Sequence, residues 1–176
     1  MRVVLVGYRG TGKTTVGRMV AQALGWPFVD VDPLIEQRGG LDIAAIFARH
    51  GEAHFRDLES AVIADLADTD PAVISAGGGA VLRPQNVHHL RRGSLVVWLT
   101  ASAETLHKRI TTDATTTARR PNLTALTGID EVRHLLKARE PCYRSAADLM
   151  LDTEVFSPGQ VAERILEHVR RKQRGE

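Results

Sequence analysis

Cysteine is almost missing from this chain: Cys142 stands alone among 176 residues. An intrachain disulfide framework is therefore excluded, and so is any CxxC metal or redox motif. Aromatic residues make up only 5% of the chain and do not interleave with a basic stripe, which argues against a nucleic-acid surface built on stacking. No apolar run approaches the roughly 18–20 residues a membrane-spanning helix needs. The N-terminus enters an apolar β-type segment directly, without a signal-peptide pattern. The sequences DxxG and NKxD, which a GTP-dependent switch would carry, are both absent. Lysine is scarce as well. Arginine supplies 19 of the 23 basic residues, and arginine suits bidentate grips on carboxylate and phosphate. These absences predict a soluble, cytosolic protein with small-molecule partners and neither membrane nor nucleic acid among them; a monomer is the expected state.

What is present is ordinary globular composition, 43% hydrophobic and 25% charged, with a formal charge of +2. Such a chain is long enough for one domain with a core and short for two. Strand-like and helix-like segments alternate. Short apolar runs at 2–7, 27–32, 72–79, 94–100 and 149–152 read as buried strands. Helical periodicity occupies 13–24, most of 33–69 with breaks near Gly39-Gly40 and at Gly51, then 84–92, 102–110, 129–140 and 159–172. The alternation predicts an α/β fold with a parallel sheet of five strands covered on both faces. Ligands of such sheets sit beyond the carboxyl ends of the strands. Residues 111–128, "TTDATTTARRPNLTALTG", have no apolar periodicity; a plain surface loop is one reading, and a connection of that length is often a lid or binding loop.

The stretch "GYRGTGKT" (7–14) fits GxxxxGK followed by Ser or Thr, and it lies between a predicted strand and a predicted helix. Glycines there let backbone N–H groups converge on phosphate oxygens, and the helix dipole adds positive potential. The expected ATP-binding set begins with Gly10, Thr11, Gly12, Lys13, Thr14 and Thr15. Lys13 would reach the β- and γ-phosphates and the Thr14 hydroxyl would ligate Mg²⁺.

"VDVD" closes the second strand and places Asp30 and Asp32 two residues apart, on one side of a strand. Two carboxylates beside a phosphate site can divide metal and proton-accepting work; Asp32 before Pro33 could equally be a helix N-cap. In "GEAHFRDLE" (51–59), Arg56 and Glu59 form an i, i+3 pair. It is either a solvated salt bridge or an arginine aimed at an anionic substrate and held by its acid. The triple glycine 77–79 would let an acceptor lie against bare backbone. The histidines lack ligand spacing, with His88-His89 read as a solvated pair. Trp26, Trp98, Met19, Met150 and Cys142 read as packing residues.

Taken in order along nearly the whole chain, "GYRGTGKTT", "VDVD", "GEAHFRDLE", "AGGGAVL", "RRPNL" and "AREPCYRSAADLMLDT" resemble the shikimate kinases. Its "LTG" followed by "EV" is similar to the second of the two common bacterial isozyme types. The resemblance implies a P-loop kinase fold with a mobile lid at about 111–124 and a substrate-binding helical segment at about 33–60, all within one domain, 1–176. It implies ATP-dependent phosphorylation of the 3-hydroxyl of shikimate, with Mg²⁺ as cofactor. Asp32 would hold the ring hydroxyls and accept the proton. Thr14 and Asp30 would serve the metal. Arg56 and Arg139 would clamp the carboxylate, and Gly77, Gly78 and Gly79 would line the ring. Arg120 would cover the transferring phosphate, the adjacent Arg119 being the competing choice, while Arg109 and Pro158 would flank adenine. Two rivals remain at this point: a gluconate-type or nucleoside-monophosphate kinase, and a nucleotide-binding protein that keeps the fold without transfer.

Overall fold

The computed structural model describes residues 1–112 and 126–175. Most of the predicted lid, with Arg119 and Arg120, lies outside the described residues. The sheet comprises β1 (Arg2–Val6), β2 (Phe28–Asp30), β3 (Ala72–Ser75), β4 (Ser94–Thr100) and β5 (Leu149–Asp152). Their order is β2-β3-β1-β4-β5 and every pairing is parallel. β1 holds the centre because all five of its residues are buried, as a strand covered on both faces requires.

Alternation along β1 distributes the core. Val4 and Val6 join Ile74, Val96 and Trp98 on one face, under α2 (Val31–Gly39), α3 (Ile43–Asp65), α4 (Pro84–Arg91) and α6 (Gly128–Ala146). Val3 and Leu5 join Val73 and Val97 on the other, under α1 (Lys13–Leu24) and α7 (Pro158–Arg174). A smaller cluster of Tyr8, Ala101, Leu106, Ile110 and Val132 ties the start of the glycine loop to α5 (Ala103–Thr112) and α6. No helix among the described residues is long and apolar enough to cross a membrane.

Several boundaries differ from the expectation. β2 stops at Asp30 and not at 32, and β3 stops at Ser75, leaving the three glycines outside the strand. The break expected at Gly51 is present, by contrast: at φ 79° and ψ 174° this residue is non-helical and kinks α3, which continues to Asp65. α6 runs through Pro141 to Ala146, six residues past the predicted end. The proline forfeits one backbone bond, and burial of Tyr143 and Ala146 in the core carries the helix on. Met19 and Met150 are not core residues, at 40% and 51% exposed. Met19 is the outward neighbour of buried Val20, and Met150 sits on an edge strand. Trp98 does pack as expected, stacked on Tyr143 at 5.6 Å, and Cys142 is partly buried against the same cluster.

Candidate functional site

The loop between β1 and α1 opens at the carboxyl edge of the central strand. Gly12, the N-cap of α1, has φ 84°, a left-handed conformation that side-chain-bearing residues rarely adopt. The turn exposes the first N–H groups of α1, which no residue within the helix can satisfy. Lys13 folds back over this loop, its Nζ donating to Gly7 O at 2.7 Å and Tyr8 O at 2.9 Å. The Thr11 hydroxyl donates to Tyr8 O at 2.8 Å and is buried, stiffening the loop from within.

Across the loop lies the end of β2. Asp30 is the N-cap of α2, one carboxylate oxygen accepting from Asp32 N at 3.3 Å. The other accepts from the Thr14 hydroxyl at 3.2 Å. This corrects the strand reading of the aspartate pair: Asp30 ends β2, Asp32 stands in the first turn of α2, and the cap is Asp30, with Asp32 inside the helix. Burial, then the neighbouring Asp32, push the Asp30 carboxyl above the usual carboxylate range. An arriving cation would relieve both effects. A hydroxyl and a carboxylate in contact are hard oxygen donors of the kind Mg²⁺ takes alongside water and phosphate oxygens.

The third wall follows β3. Gly77 and Gly78 face the opening, and behind them two arginines are buried. Arg56 Nη1 donates to Glu59 at 2.7 Å, and its Nε and Nη2 donate to Glu52 at 3.2 and 3.0 Å. Burial disfavours the Arg56 charge, but Glu59 and Glu52 more than offset this, so its pKa is raised. Glu59 is itself fully buried. The pair is thus no solvated helix salt bridge, as one reading of its spacing had it. Gly79 has no room for a Cβ, because the Arg56 guanidinium occupies that space. Arg139 comes from α6 on the other side, donating to Gly78 O at 3.3 Å. The Tyr143 hydroxyl donates to the same carbonyl; burial pushes its pKa up to about 12, so it stays a donor.

These walls enclose one cleft of about 630 Å³. Of the expected residues, Gly10, Gly12, Lys13, Thr14, Thr15, Asp30, Asp32, Gly77, Gly78 and Arg109 line it. Thr11, Arg56, Gly79 and Arg139 lie behind that lining. Arg109 bridges the loop and the end of β5, donating to Gly10 O at 3.3 Å and to Thr153 O at 2.8 Å. Pro158 opens α7 behind a Ser157–Gln160 capping box, exposed and outside the cleft lining. The segment before it is fastened to α5, since Glu154 accepts from Ser102 N and Oγ, both at 2.8 Å.

Two lining arginines escaped the sequence reading. Arg18 follows Thr14 by four residues, so both share one face of α1, and its guanidinium lies 5.7 Å from the Phe28 ring centroid. That spacing could have found it. Arg9 occupies a variable position of the glycine motif, where nothing local marks it.

Known proteins resemble this chain over nearly all its length. A family model described as shikimate kinase matches residues 9–170. A shikimate kinase of Symbiobacterium thermophilum is 44% identical over 176 residues, 100% of this chain and 99% of that protein. One from Moorella thermoacetica is 45% identical over 165 residues, covering 94% and 92%. Among solved structures, the shikimate kinase of Acinetobacter baumannii in complex with shikimate superposes with a TM-score of 0.88 at 34% identity, covering 97% of this chain and 93% of that one. A gluconokinase from Sinorhizobium meliloti reaches a TM-score of 0.55 at 18% identity, a likeness of fold alone.

Proposed function

The chain belongs to the shikimate kinase family, and from that premise we propose how its own residues carry out the reaction. The protein uses ATP to phosphorylate shikimate, a step of aromatic amino-acid biosynthesis. The 3-hydroxyl of shikimate is the nucleophile. Its proton passes to Asp32 as its oxygen bonds the γ-phosphorus. The bond from that phosphorus to the β–γ bridging oxygen breaks, and ADP leaves with those electrons.

One observation carries this assignment: a single cleft presents Lys13 and Thr14 on one wall and Asp32, Gly77 and Gly78 on another. A triphosphate gripped by the first wall faces an acceptor held on the second. Phosphoryl transfer needs such positioning and charge neutralisation more than it needs covalent help. The loop amides from Gly10 to Thr15 cradle the phosphates, Lys13 swings from its carbonyls onto them, and Arg109 with Pro158 borders the base. Arg56 and Arg139 provide cations for the shikimate carboxylate, with Gly77 to Gly79 against its ring. Arg120 is assigned to the transferring phosphate on the family resemblance. Thr14 and Asp30 would hold Mg²⁺, Asp30 through water; the ion neutralises phosphate charge when bound. The helical segment at about 33–60, α2 and most of α3, forms the acceptor side of one domain. A reducing, ATP-supplied cytosol suits a chain with one cysteine, and one domain holding the whole cleft can act as a monomer.

A coupled ADP-release assay with shikimate, gluconate and nucleoside monophosphates tests the proposal. Turnover with shikimate alone is expected. Turnover only with another acceptor, or ATP binding without transfer, rejects it.

A further inference from the structure

One buried acid has no part in the assignment above. Glu131 lies in the first turn of α6 and is 1% exposed. Its Oε2 accepts from Arg9 Nη2 at 3.3 Å, and the Arg9 side chain is itself mostly buried. Burying an ion pair often costs as much stability as it returns, so stability alone gives a poor account of this one.

The position of Arg9 supplies a better account. It lines the cleft beside Gly10, Lys13 and Gly78. Its backbone nitrogen is 3.6 Å from where a Cβ on Gly78 would stand. The Arg9 backbone therefore marks the seam at which the phosphate loop meets the acceptor wall, and the residue lines the cleft there. The pair to Glu131 occupies Nη2, one of several donor positions on a guanidinium, so the acid does not consume all of the donor capacity of Arg9. Lys13 lines the same space, and like charges in one cleft repel. An unheld arginine, with its several rotamers, would turn away to water. Glu131 opposes both tendencies. The helix that supplies it also supplies Arg139 eight residues later, about 12 Å along the axis. One helix thus supplies both the acid that holds Arg9 and the arginine that bonds Gly78 O.

We propose that Glu131 is a positioning residue of the transfer reaction: acting through Arg9, it holds a guanidinium at the seam for the negative oxygens of the phosphoryl group in transit. This rests on the phosphoryl-transfer reading above. The test is a double-mutant cycle of Glu131→Gln and Arg9→Gln, read by steady-state kinetics and thermal unfolding. Glutamine keeps the shape of Glu131 and one acceptor but removes its charge. Glu131→Gln is expected to lower kcat about tenfold while each KM moves less than about threefold, and the double variant should be no slower than Arg9→Gln alone. Additive losses, or a lowered Tm with kcat unchanged, overturn the proposal. Should Glu131→Gln fail to fold, Glu131→Asp, which keeps the charge on a shorter arm, enters the same cycle with the same criterion of non-additivity. Wild-type turnover of shikimate in the same assay separates the two claims. Its absence rejects phosphoryl transfer itself, whereas normal turnover with additive losses rejects only the role of Glu131.

Discussion

The Arg56 guanidinium fills the space that a side chain on residue 79 would need: a Cβ on Gly79 would lie 2.4 Å from both Arg56 Nη atoms. Arg56 cannot step aside freely, because ion pairs to Glu59 and Glu52 hold it. The turn after β3 and the second half of α3 are therefore fitted to each other through one planar group.

Gly79→Ala is expected to displace that group. A misplacement of about 1 Å in a positioning residue can cost up to about a hundredfold in efficiency. The loss should fall mainly on the KM for shikimate, with the KM for ATP nearly unchanged. Steady-state kinetics against each substrate checks this; an unchanged shikimate KM would separate Arg56 from acceptor binding.

Glu59→Ala addresses folding. Glu59 is fully buried and Arg56 is 8% exposed, so removing the acid leaves a buried cation without its shortest ion pair. Breaking a pair of this kind costs about 3–5 kcal/mol. Urea unfolding should show a loss of unfolding free energy of that size, and a change under about 1 kcal/mol would contradict the burial seen here.

Asp32→Asn separates binding from transfer. Asparagine preserves shape in the first turn of α2 but cannot take a proton. Loss of a general base costs on the order of 10²–10⁴ in rate, so kcat should collapse while calorimetric affinity for an ATP analogue changes less than about twofold. Undiminished turnover removes Asp32 from the proton path.

Asp30 makes a prediction about pH. Its folded pKa is raised by burial and by Asp32, so the folded state binds the proton more tightly than the unfolded chain. The charged carboxylate is thus a destabilising feature once pH exceeds the folded pKa, and the penalty disappears below the unfolded value. Asp30→Asn keeps a capping oxygen and should raise the Tm of the ligand-free protein at pH 7. That advantage should shrink as pH falls into the carboxylate range. The same variant should lose most Mg²⁺-dependent turnover. A lower Tm at pH 7 would refute the electrostatic account.

The glycine loop was legible because its conformational demands are local: the spacing of Gly7, Gly12 and Lys13 implies a turn whatever surrounds it. The five strands were legible from their apolar runs, since a sheet covered on both faces leaves little room for polar side chains. The division between Asp30 and Asp32 was not, because β2 ends where α2 begins and a carboxylate at that junction serves either element. Pro141 predicted a helix end that the burial of Tyr143 and Ala146 overrides. Arg9 and Glu131 are 122 residues apart in sequence, and only the folded chain reveals that they meet.

The resting place of Lys13 has a consequence for what may enter first. Its ammonium donates to two neutral carbonyl oxygens, acceptors that a ligand bearing several formal charges outcompetes more readily than one bearing little charge. The loop therefore favours visitors of high charge density, ahead of any contact with a base or a sugar-like ring.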